Sequence, residues 1–249
     1  TTYGTGQLIK ACLNHDVKKL LIGIGGSATN DGGIGVVQAL GGKFLDKEGK
    51  ELGFGGKELD KLVTIDLSNF DNRLKNVIVD VACDVNNPLC GEQGASYVFG
   101  AQKGATPEMM EILDNNLRHY SEIIKRQLGI DILHVYGAGA AGGLGAGLMA
   151  FLNGKLNKGI DMVIKYSKLE EKLSLADMVW TGEGSIDFQT KFGKTPLGVA
   201  KAAKRYNKPV IALAGRVGSN TEILYTMGID SIFSITRDIT TLEEALEKG

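Results

Sequence analysis

Two acidic residues four positions apart follow a short apolar run in the C-terminal third of the chain. The sequence is TGEGSID over residues 181–187, directly after the predicted buried strand Met178–Thr181. Two carboxylates held close together in a glycine loop repel each other unless a cation lies nearby, and Mg²⁺ binds carboxylate oxygens. Alternatively, one carboxylate is the base for an alcohol substrate. Glu183 and Asp187 are therefore candidates for a metal site or for general base catalysis, and the structural alternative is two solvated loop charges.

A glycine-rich segment near the N-terminus is a candidate anion site. Residues 23–33 are GIGGSATNDGG, between the predicted strand Lys19–Ile24 and the predicted helix Ile34–Leu40. A glycine-rich turn from strand to helix presents free backbone N–H groups and the positive end of the helix dipole. The polar side chains of this loop add hydrogen-bond partners, so the segment is a candidate cradle for phosphate or carboxylate. The structural alternative is a turn in which Asn30 or Asp31 caps the helix.

Asp84 stands at the end of another predicted strand, Val77–Ala82. Ligands of open α/β sheets bind off the carboxyl ends of the strands. Asp84 is therefore a candidate to hold Mg²⁺ or to accept a proton from a substrate. The structural alternative is an Asx turn that ends the strand.

Two basic residues also lie next to predicted turns. Lys194 belongs to Gly-Lys-Thr over residues 193–195, which resembles the end of a P-loop, but Phe188 stands where the first glycine of that motif would be. A P-loop is therefore excluded, although Lys194 could still meet a phosphate as a point charge. Arg216 follows the predicted strand Val210–Ala214. It could clamp a carboxylate or phosphate through two hydrogen bonds, or be an ordinary surface arginine.

A dinucleotide-binding pattern is present in a weaker form. Residues 137–142 match G-x-G-x-x-G after the apolar run Ile132–Tyr136 and before a helix. The acidic partner of that pattern is expected about 20 residues later, at the end of the next strand, whereas Asp161 precedes its apolar run. An NAD(P)-dependent oxidoreductase of the Rossmann type is thus one alternative, and close packing of small residues is the structural one.

The composition argues against several classes of function. The formal net charge is −1, without a basic block, so nucleic acid and anionic membranes are poor candidates for partners. No apolar run approaches the roughly 20 residues that cross a bilayer. The 3 cysteines form no C-x-x-C pair, which favours a reduced, cytoplasmic protein over a disulfide framework. The 3 histidines are scattered, which gives little support to a Ser-His-Asp triad.

Short Val- and Ile-rich runs predict buried strands that alternate with helices. The predicted strands are 19–24, 63–67, 77–82, 178–181, 210–214 and 231–235, and the predicted helices are 5–13, 34–40, 107–128, 144–152, 196–206, 220–227 and 242–247. Thr106 and Thr195, each followed by proline, are the predicted caps, and a hairpin is expected within 41–57. The alternation after Asp177 predicts parallel strands with helices on the faces.

We therefore expect an α/β protein with two domains and mostly parallel sheets. The expected boundaries are 1–172 for a glycine-rich α/β domain and 173–249 for an incomplete Rossmann- or flavodoxin-like segment. Several glycine or acidic turns at predicted strand ends offer anion cradles and carboxylates without histidine. This set of groups suits phosphoryl transfer, which requires mainly positioning and neutralisation of charge.

Eight short segments together carry the most specific signal of the sequence. They are GIGGSATNDGG (23–33), ACDVNNPLCG (82–91), VFGAQKGA (98–105), GAGAAGG (137–143), TGEGSID (181–187), GKTPLGV (193–199), KPVIALAG (208–215) and GIDSIFS (228–234). In these segments and their order the chain closely resembles the type I glycerate kinases of bacteria over its whole length, with Ala101 where that family usually has proline. The resemblance implies phosphorylation of glycerate by ATP with Mg²⁺, in most members to 2-phosphoglycerate. It also implies two α/β domains, one inserted in the other, with the active site in the cleft.

The resemblance further implies roles for single residues. Asp187 becomes the expected base, Glu183 serves Mg²⁺ or the glycerate hydroxyl, and Asp84 is a second metal candidate. The residues expected to hold the glycerate carboxylate or a phosphate are Gly25, Gly26, Ser27, Asn30 and Asp31, with Lys194 and Arg216 as further binding candidates.

The family also implies sequence beyond both ends of this chain. Its members carry an earlier strand and a loop with Asp-Ser-Phe-Lys, and a further helix after the segment that ends here at Gly249. The chain is thus expected to be the central and C-terminal part of a kinase, and an inactive fragment of the kinase fold is a second alternative. We expect glycerate as a small-molecule partner, no nucleic acid or membrane partner, and a homodimer as the candidate assembly.

Overall fold

The computed structural model describes residues 1–192 and 194–236. The chain divides into two compact units, the first comprising Thr1–Gly159 and the second beginning at Ile160. This division falls 13 residues before the expected boundary at 172/173, and the domain assignment 1–172 and 173–249 itself stays a prediction. Each unit has its own apolar core and is described by itself.

The first unit is built on a parallel sheet. Its strands are β1 (Lys19–Gly23), β2 (Lys43–Leu45), β3 (Thr64–Asp66), β4 (Ile78–Ala82) and β5 (Lys155–Asn157). Its helices are α1 (Tyr3–Leu13), α2 (Ile34–Ala39), α3 (Ala95–Phe99), α4 (Pro107–Leu128) and α5 (Ala140–Leu152). Parallel strands β1, β4 and β5 form a sheet in the order β1-β4-β5, while β2 pairs with β3 in antiparallel fashion.

The helix α4 has the predicted bounds, because its signals are local. The hydroxyl of Thr106 accepts a hydrogen bond from the backbone N–H of Met109, and Pro107 begins the helix. Leu117, Tyr120 and Ile124 recur on one face and are fully buried in the core of the first unit. The left-handed Gly129 ends the helix.

The expected hairpin within 41–57 is present. The backbone reverses at Asp46–Gly49, and Leu45 forms an antiparallel bridge with Glu51. The turn follows from Asp46, whose carboxylate accepts hydrogen bonds from the N–H groups of Glu48 and Lys50.

The interpretation of residues 137–142 as a dinucleotide turn is wrong. Residues 132–139 form turns rather than a strand, and Ala141, Gly142 and Gly143 have left-handed dihedrals before the regular part of α5 begins at Leu144, as predicted. A β-carbon at Gly142 would collide with the carbonyl oxygen of Thr29. The small residues therefore serve close backbone packing, which is the structural alternative.

The second unit contains the other parallel sheet, with strands in the order β6-β7-β8. The strands are β6 (Val179–Ile186), β7 (Val210–Val217) and β8 (Ser231–Ser234). The helices are α6 (Gly159–Tyr166), α7 (Leu169–Leu175), α8 (Thr195–Lys204) and α9 (Glu222–Thr226). The first residue of α6, Gly159, is the last residue of the first unit. Short 3-10 helices cover Gly56–Lys61, Asn72–Asn76, Ala101–Lys103 and Phe188–Phe192.

The mixed α/β class with mostly parallel strands is confirmed, as is the alternation of strands and helices from Asp177 to β8. Two local predictions are corrected. Strands β6 and β7 extend past their predicted ends, through sequence that was expected to form glycine loops. Lys194, not Thr195, is the cap residue of α8, and its side chain makes no capping hydrogen bond. The predicted helix 242–247 lies outside the described residues.

Candidate functional site

The glycine loop lies at the carboxyl edge of the first sheet. Strand β1 ends at Gly23, which is in register with Ala82 at the end of β4. Because parallel strands end at the same edge, the loop that follows β1 stands beside the loop that carries Asp84. Gly25 and Gly26 are exposed, and a β-carbon built on either would meet no atom of residues 1–192 and 194–236 within 4 Å. The backbone of the loop is thus open to a ligand at these two positions.

A lysine that the sequence analysis did not single out approaches this loop. The ammonium group of Lys103 donates to the hydroxyl oxygen of Ser27 at 3.2 Å and to the carbonyl oxygen of Thr29 at 2.7 Å. It reaches them from the 3-10 helix Ala101–Lys103. Lys103 belongs to VFGAQKGA (98–105), one of the eight segments that carry the family resemblance, but only the tertiary contact places its ammonium group on the glycine loop.

Burial lowers the pKa of Lys103, while the charge of nearby Asp31 acts in the opposite direction. The side chain is half-buried. Removal of an ammonium group from water disfavours its charged form, which explains the sign of the dominant effect.

Asp31 lies in the core rather than on the open side of the loop. Its side chain is 0% exposed, and its carboxylate accepts hydrogen bonds from the N–H of Thr2 at 2.6 Å, the hydroxyl of Thr2 at 3.1 Å and the N–H of Gly33 at 3.0 Å. These contacts favour a structural role, close to the capping alternative. The ligand-binding role of Asp31 stays a prediction.

Asn30 is held at the base of the loop. Its amide donates to the hydroxyl oxygen of Ser96 at 3.1 Å, while its Oδ1 atom is buried and has no hydrogen-bond partner within the described part of the chain. Next to it, Tyr120 donates to the carbonyl oxygen of Gly32 at 3.0 Å. Burial, followed by the charge of Asp31, raises the pKa of Tyr120 well above its usual range, so this hydroxyl stays a donor.

Asp84 is exposed at the carboxyl edge of the same sheet. Its Oδ1 accepts a hydrogen bond from the backbone N–H of Gly159 at 2.8 Å, where β5 leads into α6. The carboxylate of Asp84 therefore links the segment after β4 to the segment after the neighbouring strand β5. The second oxygen keeps the predicted metal role of Asp84 open.

In the second unit, Glu183 lies inside a strand rather than in a loop. It is in register with Ala214 of β7, and its Oε1 forms an ion pair with the ammonium group of Lys194 at 3.2 Å. Its other oxygen, Oε2, is buried without a hydrogen-bond partner among residues 1–192 and 194–236. A buried carboxylate oxygen that accepts no hydrogen bond is costly even when the other oxygen is paired, so Oε2 fits a site for a cation or a donated proton.

Asp187 follows the last residue of β6 and is half-buried. Its backbone N–H donates to the hydroxyl of Thr190 at 3.3 Å, and its carbonyl accepts from the N–H of Thr190 at 3.0 Å. Since strand residues rise about 3.3 Å each, the Cα atoms of Glu183 and Asp187 lie about 13 Å apart. Glu183 thus lies in a strand and Asp187 just after it, so the expectation that both lie in one glycine loop is wrong, while their metal and base roles stay predictions.

Arg216 is exposed near the carboxyl end of β7, in register with Ser185 of β6. The same edge of the second sheet thus carries Arg216 and Asp187, while the first sheet carries the glycine loop and Asp84. Among the described residues, no three His, Cys, Asp or Glu side chains are grouped as ligands for a metal ion. No helix of the described chain has the length and apolar character of a membrane span.

Comparison with known proteins points to one family. The model of the Glycerate kinase family matches residues 1–249. The chain is 51% identical over 247 residues to the glycerate kinase of Bacillus subtilis, covering 99% of this chain and 65% of that protein. It is 52% identical over 245 residues to the glycerate 2-kinase of Escherichia coli, covering 98% of this chain and 64% of that protein.

A solved structure gives the same result for the fold. The crystal structure of a Salmonella typhimurium LT2 protein assigned as glycerate kinase 2 superposes with a TM-score of 0.88 at 51% identity. The match covers 99% of this chain and 64% of that chain. The present chain therefore spans just under two thirds of the length of these relatives.

Proposed function

Because this chain belongs to the glycerate kinase family, we propose that it carries out phosphorylation of glycerate by ATP with Mg²⁺, with 2-phosphoglycerate as the product. The observation that carries the proposal is the open backbone at Gly25 and Gly26 beside the half-buried ammonium group of Lys103. This arrangement suits an anionic substrate, because backbone N–H groups and an ammonium group both donate to anionic oxygens.

The proposed reaction transfers the γ-phosphoryl group of ATP to a hydroxyl oxygen of glycerate. A bond forms between that oxygen and the γ-phosphorus, the bond from the γ-phosphorus to the bridging oxygen of ADP breaks, and the hydroxyl proton passes to the carboxylate of Asp187. Lys194 and Arg216 would neutralise phosphate charge, and Gly25, Gly26, Ser27 and Asn30 would hold the carboxylate or a phosphate. Positioning and charge neutralisation are the main requirements of phosphoryl transfer.

The buried Oε2 of Glu183, which accepts no hydrogen bond from the part of the chain that the structure describes, supports this residue as a ligand for Mg²⁺, with Asp84 as a second candidate. Bound Mg²⁺ would neutralise the negative charge of the phosphates. The residues of the chain itself would orient the substrates and accept the proton.

The direct test incubates the chain with ATP, Mg²⁺ and D-glycerate and follows the reaction by ³¹P NMR. We expect a new phosphomonoester signal whose coupling pattern identifies carbon 2 as the modified position. The full-length Escherichia coli glycerate 2-kinase is the positive control, and a sample without glycerate reports background hydrolysis of ATP. Coupling to carbon 3 protons would correct the product, and the absence of any product would contradict the proposal for this chain.

Asp187→Ala tests the base. Loss of a general base lowers kcat by on the order of 10²-fold or more, whereas the matched change Asp177→Ala, at an exposed position before β6, should leave kcat near the unmodified value. A near-normal kcat for Asp187→Ala would remove Asp187 from the mechanism.

A further inference from the structure

We infer that Lys103 is an anion-binding residue of the glycine loop, and that its ammonium group contacts a carboxylate or phosphate oxygen of the bound substrate. The inference deepens the proposed function and rests on it for the identity of the substrate. It rests on the geometry of the first unit for the site itself.

The ammonium group of Lys103 has more donors than the acceptors that the described residues offer it. An ammonium group has three N–H donors. In the described part of the chain, Lys103 donates one to the hydroxyl of Ser27 and one to the carbonyl of Thr29. The third donor is left for a group that the described residues do not supply.

The described surroundings of Lys103 do not neutralise its positive charge. Both oxygens that Lys103 contacts belong to neutral groups, and within the described residues no ion pair includes its ammonium group. The acidic side chain that acts on it is Asp31, whose carboxylate is already engaged by Thr2 and Gly33. A half-buried charge without an ion pair is unfavourable, and an anionic ligand would compensate it.

Lys103 contacts the glycine loop next to its open backbone. Because the oxygen of Ser27 accepts from Lys103, the hydroxyl proton of Ser27 is free to point elsewhere. Ser27 directly follows Gly25 and Gly26, whose would-be β-carbons meet no atom of the described residues within 4 Å. An anion at this position would receive donors from the lysine, the serine and the glycine backbone together.

Two ligands have the required chemistry, and the experiment separates them. Titration calorimetry on the 249-residue chain measures the Kd of D-glycerate and of its neutral amide, glyceramide, and the Kd of ATP and of adenosine. Each is measured for the unmodified chain, Lys103→Met, Lys103→Arg and the control Lys61→Met. Lys61 is a suitable control because it is an exposed lysine of the first unit whose ammonium group already pairs with Glu58.

A hydrogen bond to a charged group contributes about 1.5–3 kcal/mol, which is about 10- to 100-fold in Kd. If Lys103 meets the carboxylate, Lys103→Met weakens glycerate binding by this factor and leaves glyceramide unchanged. If Lys103 contacts a phosphate, Lys103→Met weakens the binding of ATP by this factor and leaves the binding of adenosine unchanged. Lys103→Arg should restore part of the affinity, because the charge is kept, while Lys61→Met should bind like the unmodified chain.

The outcomes separate this inference from the proposed function. Equal binding of both anionic ligands by Lys103→Met and the unmodified chain would overturn the role of Lys103 and leave the proposed function intact. Equal losses for glycerate and glyceramide would show a structural role and also overturn it. If the unmodified chain binds neither glycerate nor ATP, the proposed function fails and inorganic phosphate serves as the probe. Phosphate binding that is lost in Lys103→Met would then support the anion site. No phosphate binding by the unmodified chain would contradict the anion site as well. The Tm of each variant without ligand shows whether it is folded.

Discussion

The ammonium group of Lys194 lies 3.2 Å from Oε1 of Glu183, which joins the residue before α8 to the middle of β6. The two residues were separate candidates in the sequence, one for phosphate and one for metal or base chemistry. Their ion pair couples the two side chains, because each is the opposite charge that the other meets, although the partial exposure of both makes this coupling weaker than that of a buried pair.

A double-mutant cycle tests this pair. We expect Glu183→Gln to lower kcat/KM by on the order of 10²-fold, typical for loss of a charge-stabilising group, and Lys194→Met to lower it less. Since the side chains share one interaction, the double variant should lose less than the product of the two single losses. The exposed α8 residue Lys201 supplies the control Lys201→Met. Strictly multiplicative losses would show that the ion pair has no role in function.

Asp31→Ala is expected to destabilise the first unit. The change leaves the N–H and hydroxyl of Thr2 and the N–H of Gly33 without their acceptor in a fully buried place. Each buried and unsatisfied group costs about 1–3 kcal/mol, so we expect a loss of roughly 2–5 kcal/mol in the free energy of unfolding, allowing for relaxation. Urea unfolding measures it, with Asp60→Ala at an exposed position as the control. Unchanged stability together with lost ligand binding would instead support the predicted ligand role of Asp31.

Gly142→Ala should lower the free energy of unfolding by more than the cost of a left-handed alanine alone. Gly142 has φ +66° and a β-carbon there would collide with the Thr29 carbonyl, whereas Gly129 has φ +72° with no atom near its would-be β-carbon. A non-glycine residue in the left-handed region costs roughly 1–2 kcal/mol, which is the loss expected for Gly129→Ala. We expect Gly142→Ala to exceed it in thermal or urea unfolding and to disturb the glycine loop. Equal losses would show that the backbone at Thr29 moves freely.

The pH dependence of stability should reveal the contact between Asp230 and Lys204. The hydrogen bond from Lys204, then the one from the N–H of Val210, lowers the pKa of Asp230. A carboxyl group whose pKa is lower in the folded state stabilises the protein fully above its unfolded pKa, about 3.9, and loses that contribution as the pH falls through the folded pKa.

The measurement compares the free energy of unfolding of the unmodified chain and Asp230→Asn across this range. The difference should be present at neutral pH and shrink as the solution is acidified below about pH 4. As a control, the same comparison is made in chains that also carry Lys204→Met. There, the difference in the free energy of unfolding should change less with pH. If the difference in the free energy of unfolding stayed constant with pH, the hydrogen bond from Lys204 would not be the cause of the lowered pKa of Asp230.

Elements with local signals were predictable from sequence. The helix α4 has the predicted bounds because a threonine cap, a proline and a glycine stop fix its ends by contacts within the helix itself. The parallel sheet of the second unit followed from alternation of strands and helices. Strand ends were less predictable: β6 and β7 continue through glycine-containing sequence because pairing with each other, from Val179 with Val210 to Ile186 with Val217, outweighs local preference.

The sequence by itself determined the family, the α/β class and the segments in which functional groups lie, because these depend on residue type and on spacing along the chain. The tertiary structure decided which groups in those segments meet. It placed Lys103 on the glycine loop, buried Asp31 against Thr2, paired Glu183 with Lys194 and spaced Glu183 from Asp187 along a strand. Most of these relationships join residues that are far apart in sequence, and the last depends on whether the backbone is extended. Burial and strand pairing in the folded chain determine them, so the spacing of residues along the sequence does not predict them.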